Sequence, residues 1–565
     1  MQHRLRALAL LGVLTAPAAA QPAQRMESAQ RMEPAQSAPP ALTVTRGIIQ
    51  LTLGGKPLLL RGGELENSTA SDLALMESVW PKLKAAHFDT VLAPVSWELV
   101  EPQEGRFDWR SLDGIIAGAR RHGMHLVLLW FGSWKNSQSS YVPAWVKRDQ
   151  ARFPRAATAD GKSIEILSAL SDANLRADAN AFAALMAHLK RTDGARHTVL
   201  MVQVENEVGM IPQARDHSPA AEAAFAAPVP RALTDWLAAH RQGLDPALKA
   251  AWESHGAKTG AGWAETFGAG VRTDEFFNAW TEGLFTGRVA ARGKAVYPLP
   301  MFVNAALVRP GRPPGVYPSG GPLPHLFDIW KAAAPAIDFL SPDLYFPNFV
   351  DWAGKYARPG NAMFIPETGR VSGAQMGANA FYAVGELAAM GFSPYQPEQL
   401  GDADLKALGQ AYGVLEELTP LILARQGTAR IAGIAAPSSF AGVPDLAPQR
   451  FTFGDWVFDV RFKQPPPIST GQRADVEIPG AHGGLILQTG PDEFIVAGTG
   501  LFITFGSNNA ADPIAGIERI EEGHFVDGAW KRGRVLNGDD DNQGRNLRLP
   551  GGQFVIRRVR LYRYH

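Results

Sequence analysis

The chain has 565 residues, 55 Lys plus Arg against 55 Asp plus Glu, 14 Trp and no cysteine. That length exceeds what one hydrophobic core usually organises, so two or three domains are expected. Balanced charge leaves no field to draw the chain to nucleic acid or to an anionic membrane surface, and the lack of Cys excludes disulfides, thiolate metal sites and a Cys nucleophile.

Residues 1–20 begin Met1-Gln2-His3-Arg4-Leu5-Arg6, continue with an apolar stretch from Ala7 to Leu14 and end on Ala18-Ala19-Ala20. Basic start, short apolar middle and small-residue exit predict a secretory signal peptide cleaved after Ala20, and hence a periplasmic or secreted bacterial protein. In 21–44, Ala23-Gln24-Arg25-Met26-Glu27-Ser28 recurs as Ala29-Gln30-Arg31-Met32-Glu33-Pro34 before Pro39-Pro40. This polar, low-complexity composition predicts a disordered linker. No second membrane-spanning run follows.

From 45 to 420, short apolar runs alternate with helical stretches, the pattern of a parallel sheet wrapped by helices. Eight strands are expected at 58–63, 90–94, 125–130, 199–204, 300–304, 339–343, 363–366 and 391–395, with helices at 73–86, 177–190, 275–292 and 378–390 among those between them. Eight such units predict an α/β fold, a (β/α)8 TIM barrel. Residues 425–565 change to short β-rich runs broken by Gly and Pro, including Trp456-Val457-Phe458-Asp459-Val460 and Glu493-Phe494-Ile495-Val496-Ala497, which predicts a smaller all-β sandwich-like domain.

Two glutamates stand at the ends of barrel strands: Glu207 in Val202-Gln203-Val204-Glu205-Asn206-Glu207-Val208-Gly209, and Glu367 in Pro366-Glu367-Thr368-Gly369. Strand ends open into the cleft where barrel enzymes keep their chemistry. Two carboxylates from different strands suit glycosidic cleavage, one protonating the leaving oxygen and the other attacking the anomeric carbon. A general acid needs a raised pKa, which partial burial beside a second carboxylate supplies. An Asn before the acid, here Asn206, can donate to the sugar 2-hydroxyl, and Tyr345 is a candidate donor to Glu367.

The stretches Gly62-Gly63-Glu64-Leu65-Glu66-Asn67, Trp97-Glu98-Leu99-Val100-Glu101-Pro102-Gln103-Glu104-Gly105-Arg106-Phe107-Asp108, Val202 to Gly209, Asn304-Ala305-Ala306 and Pro366 to Gly369 resemble glycoside hydrolase family 35, the retaining β-galactosidases, in bacterial forms with a β-rich C-terminal domain. The resemblance implies Glu207 as acid/base and Glu367 as nucleophile on strands four and seven, Glu205 and Asn206 as galactose-binding residues, and Glu64 and Asn304 as further site residues. It also implies trimming of galactose from plant cell-wall oligosaccharides such as those of xyloglucan. Many members carry a Ser-x-x-His-Tyr-type segment after the first strand, where this chain has Glu64-Leu65-Glu66-Asn67.

Trp97, Trp130, Trp134 and Trp145 fall just beyond strands two and three, where rings can stack on sugars, and Trp130 and Trp134 with Asn136 are the favoured subset. Core packing is the competing explanation for each. The loop Tyr317–Pro322 is either a cover for the cleft or a surface turn. Asp539-Asp540-Asp541-Asn542-Gln543-Gly544 lacks the closing acidic residue of a calcium loop, and His122 and His125 have the wrong spacing for one helix face. No Gly-x-Ser-x-Gly elbow or Walker-type loop occurs. No metal or cofactor is expected. The expected partner is an oligosaccharide, the oligomeric state stays open with a homodimer as one alternative, and the competing functions are an endo-acting β-glucanase or mannanase and a non-catalytic exported carbohydrate-binding barrel.

Overall fold

The computed structural model describes residues 38–466, 474–536, 538 and 544–565. The expected signal peptide, most of the expected linker and residues 539–543 of the acidic turn lie outside them. Eight parallel strands close a barrel in the order of the chain: Leu60–Glu64, Thr90–Ser96, His125–Lys135, Val199–Asn206, Met301–Ala306, Phe339–Leu344, Ile365–Thr368 and Gly391–Pro394. We number them one to eight. All eight expected strands are present, most of them with the C-terminal end one or more residues further on than the apolar run. Those extensions carry polar residues such as Asn206 and Thr368, which burial patterning alone assigns to loops.

Helices wrap the barrel, among them Leu73–Ala85, Asp172–Thr192, Val271–Lys294, Gly373–Gly385 and Asp402–Arg425. Three of these starts are set by side-chain caps: Asp72 accepts from the amides of Ala74 and Leu75, Ser171 from Asn174, and Ser372 from Gln375. The barrel interior is filled by Leu60, Leu92, Val127, Leu129, Leu200, Phe302, Phe339 and Phe364. Leu51 joins this cluster from a three-stranded antiparallel sheet made of Ala41–Thr45, Ile48–Leu53 and Lys56–Pro57. That sheet corrects the linker boundary: residues 41–44 already pair with Leu51 and its neighbours and are ordered by that pairing. The last barrel helix likewise runs beyond 420, to Arg425.

Closure of the barrel depends on the seam between strands one and eight. A Cβ at Gly62 would lie 2.1 Å from Ser393 Oγ, so only glycine permits this approach. Tyr412, fully buried on the last barrel helix, sets its hydroxyl 2.9 Å from the carbonyl of Gly62 and 2.8 Å from that of Phe392, tying both strands to the helix.

The C-terminal part is two antiparallel sheets. One has six strands in the order Ile431–Ala435, Gly483–Gln488, Glu493–Thr499, Val555–Tyr564, Ile514–Val526, Ala529–Val535; the other has four, Gln449–Phe453, Trp456–Arg461, Leu501–Ser507 and Leu547–Leu549. Phe453, Trp456, Phe458, Ile486, Phe494 and Leu501 fill the space between them, as expected of a sandwich. The barrel and this part meet through helix Gly373–Gly385, where Phe381 stacks on Phe554 with ring centroids 5.4 Å apart. Among the described residues no helix is long and apolar enough to cross a membrane.

Tyr412→Phe removes one buried hydroxyl from the seam and is expected to lower stability by about 1 to 2 kcal/mol. Urea unfolding checks this, with a lower midpoint and an unchanged slope; an unaltered midpoint would show that the seam does not use the hydroxyl.

Candidate active site

Four carboxylates converge at the C-terminal ends of the strands: Glu64 from strand one, Glu207 just after strand four, Asp343 from strand six and Glu367 from strand seven. One oxygen each from Glu207, Asp343 and Glu367 lie within 4.8 Å of one another. That spacing allows a shared cation, and equally a positively charged reacting centre. Glu64, Asp343 and Glu367 are buried, while Glu207 stands partly open at the mouth.

The scaffold aims each group. Asn304 on strand five accepts from the amide of Glu207 at 2.9 Å through Oδ1 and donates to Asp343 Oδ2 at 2.7 Å through Nδ2. Both its polar ends are used, so it positions the acids rather than facing a ligand. Tyr345 donates its hydroxyl to Glu367 Oε1. Lys135, at the end of strand three, donates to Asn206 Oδ1 at 3.0 Å and to Asn136 Oδ1 at 2.9 Å. The carbonyl of Glu207 accepts from the amide and hydroxyl of Ser137. Both Glu205 and Glu207 have left-handed backbones, with φ of 61° and 46°. Such conformations are costly for non-glycine residues and mark functional turns.

Electrostatics follows from this crowding. Burial and the Glu367 carboxylate push Glu207 up to about 7, against the opposing pull of Lys135 and Arg370. Burial, then the charge of Glu367, holds both Glu64 and Asp343 well above the usual carboxylate range. Tyr345 is raised by burial and by Glu367, so it stays a hydrogen-bond donor. Several buried atoms here lack a protein partner: both oxygens of Glu64, Asn206 Nδ2, Asp343 Oδ1 and Glu367 Oε2. Buried polar atoms normally find partners, and a hydroxyl-rich ligand would supply them.

The expected residues divide into two groups. Glu64, Asn206, Glu207, Tyr345 and Glu367 come together, with Asn304 behind them and exposed Asn136 joined through Lys135. Glu205 does not join them. Alternation along a strand would put it on the same face as Glu207, but its left-handed φ turns it outward, where Oε2 accepts from the amide of Trp134 at 2.7 Å beside Asp178 of helix Asp172–Thr192.

The tryptophans are corrected too. Trp97, Trp130 and Trp134 are completely buried and offer no free face to a sugar. Trp97 donates to Glu101 at 2.7 Å and Trp130 to Asp178 at 2.9 Å, while Trp134 packs edge-on to Phe285. Partly buried Trp145 donates to the Glu101 carbonyl at 3.1 Å. The loop Tyr317–Pro322 is no free surface turn: Ser319 exchanges backbone hydrogen bonds of 2.8 and 3.0 Å with Met210, just past Glu207.

Lys135, Asp343 and Arg370 escaped the sequence reading. Asp343 carries the same signal as the glutamates, an acid closing an apolar strand. The two cations carry none, because their importance comes from distance alone. Lys135→Met keeps the stem but removes the charge, so the titration of Glu207 should move above 7. Carboxyl-carbon NMR of Glu-labelled protein reads this directly; a downward shift would refute the field described here.

Comparison with known proteins places residues 70–265 in a match to the glycoside hydrolase family 42 model described as "Beta-galactosidase", and residues 408–548 in a match to a "Domain of unknown function (DUF5597)". The first match corrects the family expected from the motifs: it falls on family 42 and gives no support to family 35. No curated protein matches. Similar solved structures include a β-galactosidase from the psychrophile Marinomonas ef1, at 12% identity over 64% of this chain and 60% of that one, with a TM-score of 0.44. A catalytic mutant of Gan42B, a family 42 β-galactosidase from G. stearothermophilus, matches at 10% identity over 89% and 98%, with a TM-score of 0.47. A β-mannanase from the blue mussel Mytilus edulis matches at 14% over 66% and 96%, with a TM-score of 0.39. The chain spans 60% and 58% of the first two β-galactosidases it resembles, that of Marinomonas and one from Rahnella sp. R3. Within residues 70–265 the chain is therefore similar to the family 42 glycoside hydrolases.

Proposed function

We propose that the protein is a retaining, exo-acting β-galactosidase that removes terminal β-linked galactose from plant cell-wall oligosaccharides, with xyloglucan-derived ones as the candidate class, and that it acts after export. The observation that carries this reading is the Glu207–Glu367 pair: two carboxylates with oxygens within 4.8 Å, one pushed up to about 7 and the other hydrogen-bonded by Tyr345. Retaining enzymes hold their two carboxyl groups roughly 5 to 5.5 Å apart, whereas inverting enzymes leave roughly 6.5 to 9.5 Å for a water. One oxygen of each acid lies near enough to the other for both to act on a single anomeric centre, which suits direct attack by Glu367. The family 42 match favours galactose as the sugar.

In this reading Glu207 holds its proton at neutral pH and gives it to the glycosidic oxygen while a Glu367 oxygen bonds to the anomeric carbon and the leaving group departs. The Tyr345 hydroxyl keeps Glu367 oriented. Glu207, now ionised, takes a proton from water, whose oxygen displaces Glu367 and releases galactose with its original configuration. Asn206 Nδ2, free of protein partners, is the donor available to the sugar 2-hydroxyl, and the unpartnered oxygens of Glu64 and Asp343 are available to the remaining hydroxyls. The buried acids Glu64 and Asp343 beside the pair suit a terminal sugar.

A panel of aryl β-glycosides tests the sugar, and proton NMR of the first-formed product tests retention; release of the α-anomer first would end the double-displacement scheme. Glu207→Gln and Glu367→Gln should each lower kcat/KM by about 10³-fold or more. A non-catalytic binding barrel would show sugar binding with no turnover to lose.

Because the acid must carry its proton, kcat/KM of the wild type should decline above about pH 7, where Glu207 ionises. Glu207→Gln should lose that basic limb. Its persistence in the variant would assign the limb to another group.

A further inference from the structure

The hairpin tip at residues 437–445 follows strand Ile431–Ala435 of the C-terminal part, inside the segment that matches the domain of unknown function. It is held by its own backbone: Ser439 and Val443 pair at 2.9 Å, Asp445 donates to the Pro437 carbonyl at 2.7 Å, and Ser438 bridges to Pro444. Although it belongs to the β-rich part, it sits on the catalytic face of the barrel. A Cβ at Gly442 would lie 3.7 Å from Pro347, and the Phe440 ring packs edge-on to Phe346 with centroids 5.1 Å apart.

Phe346 directly follows Tyr345, the donor to Glu367. Together with Thr368 and Gly369, which directly follow Glu367, and with Gln375, it lines a crevice of about 170 Å³ closed by Ser438 and Gly442 of the hairpin. The hairpin therefore stands against the loops that follow strands six and seven. Phe440 nonetheless keeps 47% of its surface exposed. An exposed aromatic ring on the catalytic face is a surface on which proteins bind a sugar ring, the aromatic face covering the sugar's C–H face. One ring of this size is too little for a stable protein interface.

We propose that hairpin 437–445 forms the outer, leaving-group part of the substrate cleft, with Phe440 as the stacking face for a sugar of the oligosaccharide that galactose leaves. The proposal rests on the glycosidase reading above, and deepens it by giving the C-terminal part a share in substrate choice. An aryl galactoside has no sugar to place there; a galactosylated oligosaccharide does.

The test is the ratio of kcat/KM on a galactosylated xyloglucan oligosaccharide to kcat/KM on an aryl β-galactoside, in Phe440→Ala, Phe440→Leu and Phe440→Tyr. The ratio should fall about fivefold to tenfold in the Ala and Leu variants, through KM on the oligosaccharide, and be kept in the Tyr variant, the scale of one aromatic stacking contact. Leu preserves an apolar contact with Phe346 without a ring face, so a Leu variant that keeps the wild-type ratio would overturn the proposal and make Phe440 a docking contact only. An unchanged ratio in the Ala variant would overturn it as well. If the wild type cleaves a different aryl glycoside and no galactoside, the β-galactosidase reading fails by itself, and the same ratio measured with that sugar still decides the role of Phe440.

Discussion

Four acids in one barrel mouth are the constraint around which this molecule is arranged. Ionised carboxylates at such separations repel strongly in a site largely closed to water, so they cannot all be charged together. Two devices relieve the conflict. Burial pushes Glu64 and Asp343 well above the usual carboxylate range, and Lys135 and Arg370 lend positive charge beside Glu207. The result is graded acidity within one pocket: two groups raised by burial, a group poised near neutrality at Glu207, and a hydrogen-bonded partner at Glu367. Separating pKa values by environment is how a single fold obtains an acid and a nucleophile from the same side chain. A barrel suits the task because each acid arrives on its own strand, and the interstrand ladder fixes their spacing without help from the acids themselves.

A second buried polar network, just behind strands three and four, explains how Glu207 is aimed. Asp178 accepts from Trp130 Nε1 at 2.9 Å and from the amide and hydroxyl of Ser133 at 2.9 and 2.6 Å. Beside it Glu205 accepts from Trp134. These contacts lie at an irregularity in the pairing of strands three and four, between Trp130 and Lys135. The irregularity brings Lys135 opposite Asn206 and lets consecutive acids of one strand face opposite ways. Glu205 and the tryptophans are thus remote from the ligand but decide where the acid points, and a small displacement of a catalytic group is costly to rate.

Strand ends were the most legible feature in the chain. Apolar runs ending in Glu207 and Glu367 located both acids, because a barrel buries its strands on two faces and opens only at their ends. What escaped the sequence depends on side-chain direction or on distance. The family resemblance put Glu205 at the sugar, but its φ reverses sign where no glycine signals it and the side chain turns away. Trp97, Trp130 and Trp134 looked like loop residues because strand three continues to Lys135 and a one-turn helix, Trp97–Val100, follows strand two. Longer elements carried those rings into the core. Asn304 was found for the wrong reason: it is a two-ended clamp between Glu207 and Asp343, a role visible only when strands five and six stand side by side.

The two halves of the cleft are built by different means, and this has a consequence for specificity. Groups around the acids lie on paired strands locked by the barrel, so a sugar bound there in the proposed reading meets a rigid frame. Outward of Glu367 the walls are loops, one of them lent by a separate sandwich that is held to the barrel by Phe381 against Phe554 and by Glu417, which accepts from the Phe525 amide at 2.8 Å. Loops tolerate change that strands do not. In the proposed reading, substitution in hairpin 437–445 alters which leaving group is accepted without disturbing the spacing of Glu207 and Glu367. Strand four and its clamps admit no such freedom, because each change there moves a charge in a crowded, buried set.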